Sequence, residues 1–380
     1  MNTSRRQWFK SAAGLTAGFV ALPALVDQLM AAPVSEAERF HRSSLNESLV
    51  RLGSNENPYG PSAKAREAVI GSLAEGNRYA FEAITDFKKI LAAREGVTPD
   101  HIMIGNGSSE LLCVAGIGVG LEGKRVVSPF PTFRLLMEFA EQMGATWDKV
   151  PLDESLTINL DTLASAIKEN TKMIFLVNPN NPTGTLVDWN KYAGFCEEVS
   201  KKVTIYSDEA YLEFLEPQQQ RSMVELVKKG SDVIVSRTFS KIYGLAGLRL
   251  GYLIAQPDRI KQLSKYQMGA RLNINQAVLA AAKASLDDNA FMKMTREKNA
   301  LARKVLEDYL TLKGWFFGKS HINLLFFPAP MDGKTILSKT EEAGYQIRVW
   351  DYAGKEWCRV SIGMLEEMQG FVKAFDKIAR

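Results

Sequence analysis

Cysteine and histidine are almost missing from this chain, with three of each in 380 residues. Cys113, Cys196 and Cys358 stand far apart, are odd in number and lack metal-ligand spacing. That pattern excludes a disulfide framework and a zinc site, so no metal is expected. His41, His101 and His321 are equally scattered, and each reads as a surface or packing residue. No P-loop, internal repeat or low-complexity linker is present. Charge of one sign is lacking too. The formal net charge is +4, and part of it sits in the first ten residues, which leaves no basic face for nucleic acid.

Long hydrophobic runs are also missing. The most suggestive candidate, "SAAGLTAGFVALPAL", is too short and glycine-rich to read as a membrane-spanning helix. It follows "MNTSRRQWFK", in which Arg5 and Arg6, with Ser4 before and Trp8, Phe9 and Lys10 after, resemble a twin-arginine export signal. The expected location is therefore periplasmic or membrane-anchored through an uncleaved signal, and cytoplasmic if the signal is unused. Residues 1–35 are set aside from the fold on this ground.

What remains is 46% hydrophobic and 24% charged, ordinary values for a soluble globular protein. Apolar strands alternate with helices: "HIMIGNGSSELLCVAGIGVG", "KRVVSPFPTF" with "RLLMEFAEQMG", "KMIFLVNPNNPTG", "KKVTIYSDEAYLEF", "SDVIVSRTFSK" and "RLGYLIA". This order predicts an α/β fold with a mostly parallel central sheet covered on both faces. From about Pro257 to Gly314 the pattern is helical, and the C-terminal part reads as a smaller α+β domain. The expected division is an arm and part of the small domain at 36–62, a large domain at 63–265, and linking helices with the small domain at 266–380. "GIGVG" fails the spacing of a dinucleotide fingerprint and lies late in a helix, so it reads as packing.

In a sheet of this kind ligands bind beyond the carboxyl ends of the strands, and the unusual polar clusters fall there. "GNGSSE" opens a helix whose amides at Ser108 and Ser109 suit a phosphate, although Ser is also an ordinary helix cap. The two Asn-Pro pairs of "NPNNPTG" force a turning backbone that aims Asn181 at the sheet end, or form a plain structural turn. Asp208 ends a run that reads as buried, and a buried carboxylate wants a cation or strong donors. Tyr211 follows three residues later. Thr238 and Ser240 offer hydroxyls, Lys241 an amine and Arg249 a planar fork suited to phosphate.

One anionic, protonatable ligand satisfies them all. Pyridoxal phosphate would place its phosphate among Ser108, Ser109, Thr238, Ser240 and Arg249, and its aldehyde at Lys241. Its ring nitrogen would meet Asp208, its phenolic oxygen Asn181 and Tyr211, and its ring face Phe133.

The ordered set "NENPYG", "NRYA", "GNGSSE", "PTF", "NPNNPTG", "SDEAY", "RTFSK…GLAGLRLGY" and "CRVSIG" resembles the class I/II aminotransferases of the fold-type I pyridoxal phosphate superfamily. It looks closest to their histidinol-phosphate aminotransferase branch, from about Leu49 to the C-terminus. The resemblance implies Lys241, Asp208 and Tyr211 as catalytic residues. It implies that Tyr79 reaches the cofactor phosphate of a neighbouring subunit in a homodimer. It implies Arg359 as the arginine for the substrate's carboxylate or phosphate, Arg348 as a second anion-binding arginine, and Asn55 as part of a segment closing over the substrate. The substrates implied are an amino acid or amino-alcohol phosphate and a 2-oxo acid. Ser109, Ala80 and Phe133 depart from residues the family often carries there. Decarboxylases, lyases and racemases share the scaffold, as would a binding module without catalysis, and the motifs alone leave these open.

Overall fold

The computed structural model describes Leu49–Arg380 apart from Met268, Ala270 and Arg271. The export-signal expectation, the 1–35 tail, the first part of the 36–62 arm and His41 lie outside the described residues. Strand β1 (Val50–Arg51) leads into a large sheet built from β2 (Ile102–Gly105), β3 (Arg125–Phe130), β4 (Thr146–Pro151), β5 (Thr171–Val177), β6 (Thr204–Asp208), β7 (Val233–Thr238) and β8 (Gly251–Ile254). A three-stranded sheet follows from β9 (Leu324–Pro328), β11 (Arg348–Tyr352) and β12 (Lys355–Ser361), while β10 (Tyr345–Gln346) pairs with β1.

The large sheet runs β2-β8-β7-β6-β5-β3-β4. Its pairings are parallel except those that β8 makes with β7 and β2. The reversal at β8 has a local cause. Parallel strands need a long crossover, usually a helix, and the connection Phe239–Leu250 holds only a single 3-10 turn at Ala246–Leu248. The segment "EAYLEF" after β6 also departs from the strand–helix expectation. It makes one 3-10 turn, Leu212–Phe214, because its residues are pulled inward on both sides. Tyr211, Leu212, Phe214 and Leu215 are buried in the core, and Glu209 and Glu213 are drawn to Arg237.

The central strands carry unbroken apolar runs because both faces are covered. Ile174, Ile205 and Val235 enter one core cluster, and their neighbours Phe175, Tyr206 and Ile234 enter another. Burying each such side chain stabilises the fold by about 1.5–3 kcal/mol. On the second face helix Gly107–Leu121 packs against helix Leu135–Gln142, and "GIGVG" lies at that contact. A Cβ at Gly116 would overlap the Leu136 carbonyl, and one at Gly120 would overlap Met143, so the motif is packing.

The three-stranded sheet alternates in the same way. Phe326 and Trp357 face the first cluster, whereas Leu325, Phe327, Cys358 and Val360 face a third, with helices Asn289–Leu312 and Leu365–Ile378. The face shared with the first cluster is the one that carries Arg359 and Arg348.

Candidate active site

The parallel strands deliver their carboxyl ends to one edge of the large sheet, and β8, running the other way, delivers its amino end there. A cavity of about 300 Å³ opens at that edge. Ser108 and Ser109 enter it from the start of helix Gly107–Leu121, and Phe133 and Asn181 from the loops after β3 and β5. Asp208 and Tyr211 come from the end of β6, Thr238, Ser240 and Lys241 from the end of β7, and Arg249 from just before β8. A second chamber of about 490 Å³ shares Ser54, Phe133, Asn181 and Lys241 with the first and adds Asn55, Arg348 and Arg359.

Arg249 closes one end of the first chamber. Its Nη1 donates to Ser240 Oγ at 3.2 Å and to the Ala246 carbonyl at 2.9 Å, and its Nη2 to Ser109 Oγ at 3.3 Å. The guanidinium lies so close to Gly107 that a Cβ there would overlap it, and Gly107 has φ +78°. Glycine is needed at that point for both reasons. Among the described residues no carboxylate forms an ion pair with Arg249. Thr238 Oγ1 accepts the Ser240 N–H at 3.1 Å, which fixes the turn carrying Lys241.

Asp208 is 3% exposed; its Oδ1 accepts the Ala210 N–H at 3.1 Å, and no cation among the described residues is within ion-pair reach. Burial pushes its carboxyl up to about 6. Lys241 Nζ donates to the Ser54 and Asn55 carbonyls, both at 3.2 Å, and lies 5.6 Å from the centre of the Tyr211 ring. Burial first, and then the positive field of Arg359, lower the amine to about 8. Tyr211 Oη accepts from Asn55 Nδ2 at 2.9 Å, and burial raises the phenol to about 12, so it stays protonated at neutral pH.

Asn55 sits at φ +53°, a left-handed conformation that Asn tolerates better than most residues. Three bonds hold it: its N–H to Ser361 Oγ at 2.8 Å, the Ser361 hydroxyl to its Oδ1 at 2.7 Å, and Asn323 Nδ2 to its carbonyl at 3.1 Å. The segment bearing Asn55 is thereby tied to the small sheet while its amide reaches Tyr211.

Arg359 and Arg348 stand directly opposite each other on β12 and β11. Arg359 is 5% exposed, and burial pulls its guanidinium down to about 10. It donates to Asn181 Oδ1 at 3.1 Å and to the Gly53 carbonyl, and its Nε is buried with no partner. Arg348 is exposed and donates from Nε to the same Gly53 carbonyl at 2.9 Å. Like charges placed directly opposite destabilise a sheet, and an orphaned buried donor costs about 1–3 kcal/mol. An anion between the two guanidiniums would relieve both costs.

Tyr79 is not brought to either chamber; it is 71% exposed and stacks on Phe81 at 5.4 Å. Several residues at or near the site escape sequence reasoning. Glu56 lines the first chamber and pairs with Arg51 at 3.0 Å. Asn180 binds Thr132 Oγ1 at 2.9 Å and the Pro131 carbonyl at 3.1 Å, which knits the loops after β3 and β5 together. Arg134 and Trp350 line the second chamber. The available signal for Trp350 was its position two residues after Arg348, on the same face of the strand. Among the described residues no His, Cys, Asp and Glu cluster could hold a metal ion.

The family model for aminotransferase class I and II matches residues 47–375. The chain belongs to the class I and II aminotransferases. Its relatives include histidinol-phosphate aminotransferase 2 of Hydrogenovibrio crunogenus, 35% identical over 91% of this chain and 92% of that protein. Histidinol-phosphate aminotransferase 1 of Cupriavidus pinatubonensis is 33% identical over 91% of this chain and 92% of its own. Among solved structures, the histidinol-phosphate aminotransferase of Sinorhizobium meliloti in complex with pyridoxal-5'-phosphate superposes with a TM-score of 0.79 at 25% identity, covering 91% of this chain and 94% of that one. This aminotransferase has the α/β fold expected of a pyridoxal-phosphate enzyme, with its polar residues gathered where that fold binds ligands.

Proposed function

We propose that the aminotransferase holds pyridoxal phosphate in the smaller chamber and receives its amino donor, an amino acid or an amino-alcohol phosphate such as histidinol phosphate, in the larger one, with a 2-oxo acid as acceptor. The residues present fit the cofactor. Asp208 is a buried carboxylate without a cation, and Arg249 is a guanidinium facing hydroxyls and a carbonyl without an anion. Pyridoxal phosphate carries both missing charges at opposite ends, and when bound it supplies an electron sink for a negative charge developing on the donor's α-carbon.

Each side chain then has a task. Arg249, Ser240, Thr238 and the first amides of helix Gly107–Leu121, including those of Ser108 and Ser109, bind the phosphate, with the helix dipole adding about 0.3–1 kcal/mol. Asp208 holds a proton on the ring nitrogen. Asn181 and Tyr211 orient the ring oxygen, and Phe133 covers a ring face. Lys241 meets the cofactor aldehyde. With its amine lowered to about 8, Lys241 Nζ sheds its extra proton far more readily near neutral pH than an ordinary lysine, and in that neutral form it would take a proton from the donor's α-carbon and return it. Arg359, with Arg348 beside it, binds the donor's carboxylate or phosphate, while Asn55 keeps the Gly53–Asn55 segment over the site.

The observation that carries this reading is the juxtaposition of Asp208, Lys241 and Arg249 in one chamber that opens onto Arg359. To test it, the cofactor-loaded protein is mixed with a panel of amino acids and histidinol phosphate while the cofactor absorbance is followed. A donor-dependent spectral conversion, reversed by a 2-oxo acid, is expected, and no conversion with any donor would overturn it. Tyr79, exposed and lining neither chamber, is assigned to the phosphate of a second copy. Sedimentation should show a dimer, and Tyr79→Ala should weaken cofactor retention. Export through the twin-arginine segment would place the enzyme in the periplasmic fraction, and Arg5→Lys with Arg6→Lys should keep it in the cytoplasm.

A further inference from the structure

The lining of the chamber that receives the donor has two unlike parts. One is cationic, where Arg348 and Arg359 converge on the Gly53 carbonyl. The other is walled by Phe130, Phe133, Leu135 and Trp350. Trp350 belongs to the face of β11 that also carries Arg348, while Val349 packs into the opposite core. Its half-buried ring lies with its centre 6.0 Å from the Arg359 guanidinium and 5.8 Å from that of Arg134. Arg134 reaches it from the loop after β3, with its Nε 3.2 Å from Glu138.

This wall is unsuited to small or acidic side chains. A methyl group would leave the aromatic surfaces facing water. A side-chain carboxylate directed along the wall would meet the charge of Glu138, which lines the same chamber and is already the partner of the nearby Arg134. A planar ring fits, because it can lie against the indole and exclude water from it. The volume of about 490 Å³ leaves room for one.

We propose that Trp350 is a specificity-determining residue, whose ring selects amino donors with a planar aromatic or heteroaromatic side chain. This rests on the aminotransferase reading above and on Arg359 taking the donor's anionic head. Trp350 reads the side chain and takes no part in proton transfer.

The test compares kcat/KM for phenylalanine, alanine and aspartate in the cofactor-loaded wild type, Trp350→Ala and Trp350→Phe. Calorimetric binding of two unreactive carboxylates, 3-phenylpropionate and propionate, runs alongside. The wild type should prefer phenylalanine and bind 3-phenylpropionate more tightly than propionate. In Trp350→Ala both preferences should fall about tenfold, the scale of one lost aromatic contact, and Trp350→Phe should keep most of each. Equal losses for phenylalanine and alanine in Trp350→Ala would overturn the proposal, since Trp350 would then only position Arg359. A wild-type preference for aspartate would overturn it as well, because Arg348 would be reading the side chain. If no donor converts the cofactor, the aminotransferase reading is what fails, and the ratio of the two carboxylate affinities still decides the role of Trp350.

Discussion

Arg237 lies in β7 and Arg249 just before the adjacent strand β8, yet their charges are answered in opposite ways. The Arg237 side chain is 8% exposed, with Nη1 3.0 Å from Glu213, Nε 3.0 Å from Glu209 at too bent an angle for a hydrogen bond, and Glu95 at 3.9 Å. Glu209 in turn accepts the Met223 N–H and the Ser222 hydroxyl, both at 2.7 Å. Burial raises the carboxyls of Glu209 and Glu213, and the field of Arg237 opposes it. The charge of this centre is answered by carboxylates of the chain itself. Arg249 has two hydroxyls and a carbonyl but no carboxylate. The neighbours Asp208 and Glu209 repeat the contrast, since Glu209 has Arg237 while Asp208 has no cation. A charge answered by the chain's own residues serves the fold, and one left facing neutral groups beside a chamber is set for a ligand.

The strongest way to sharpen the comparison is at the ligand-facing centre. Lys241→Ala should lower turnover by at least about 10³-fold, within the range for loss of a positioned base, while the variant still folds and retains cofactor. Borohydride treatment of the loaded wild type should leave a reduced pyridoxyl group on Lys241, found by peptide mapping and missing from the variant. Undiminished turnover in the variant would remove Lys241 from the chemistry. The next effect belongs to the self-contained centre. Arg237→Met leaves three carboxylates without their cation and should cost about 3–5 kcal/mol in denaturant unfolding. Cofactor affinity of the protein that remains folded should change far less. Unchanged stability would break the distinction between the two arginines.

The sequence makes one of these centres far more legible than the other. The edge centre can be read because the carboxyl ends of parallel strands converge, so chain order alone assembles Asp208, Thr238 and Lys241, and Arg249 joins them from the start of the next apolar run. Arg237 lies in the same quoted stretch but inside the strand, and of its partners Glu209 and Glu213 come from the segment after β6 and Glu95 from a distant part of the chain. Nothing in the spacing tells which carboxylates fold onto it. The reversal of β8 was hidden for a related reason, since an antiparallel strand and a parallel one present the same apolar run. Arg359 and Arg348 were named through family motifs, but their direct cross-strand pairing depends on the register of β11 and β12, which the sequence does not display.

Asp208 gives a smaller effect with a definite pH window. In the cofactor-free protein its carboxyl is raised from 3.8 to about 6 by burial. The native state therefore holds the extra proton, and this group's contribution to stability is full below pH 3.8 and lost as pH rises through about 6. The difference amounts to about 3 kcal/mol. Asp208→Asn cannot ionise, so the cofactor-free variant should gain on the wild type between pH 4 and 6 and keep that gain at pH 7. Urea unfolding at a series of pH values measures it. A gain that does not vary with pH would mean that Asp208 is already answered by a cation in the folded chain.

Arg249→Gln should be the mildest change for the fold and a selective one for the ligand. The residue's φ of +60° is as unfavourable for Arg as for Gln, so the substitution adds no new backbone strain. No carboxylate loses a partner either, and unfolding of the cofactor-free protein should shift by only about 1 kcal/mol, the net scale of a lost hydrogen bond. Removal of charge-assisted bonds to a phosphate should weaken cofactor binding by about 10- to 100-fold, measurable by equilibrium dialysis. If Arg249→Gln instead destabilises the cofactor-free protein as much as Arg237→Met does, the two guanidiniums play one structural role. The phosphate would then have to be held by the helix amides and hydroxyls alone.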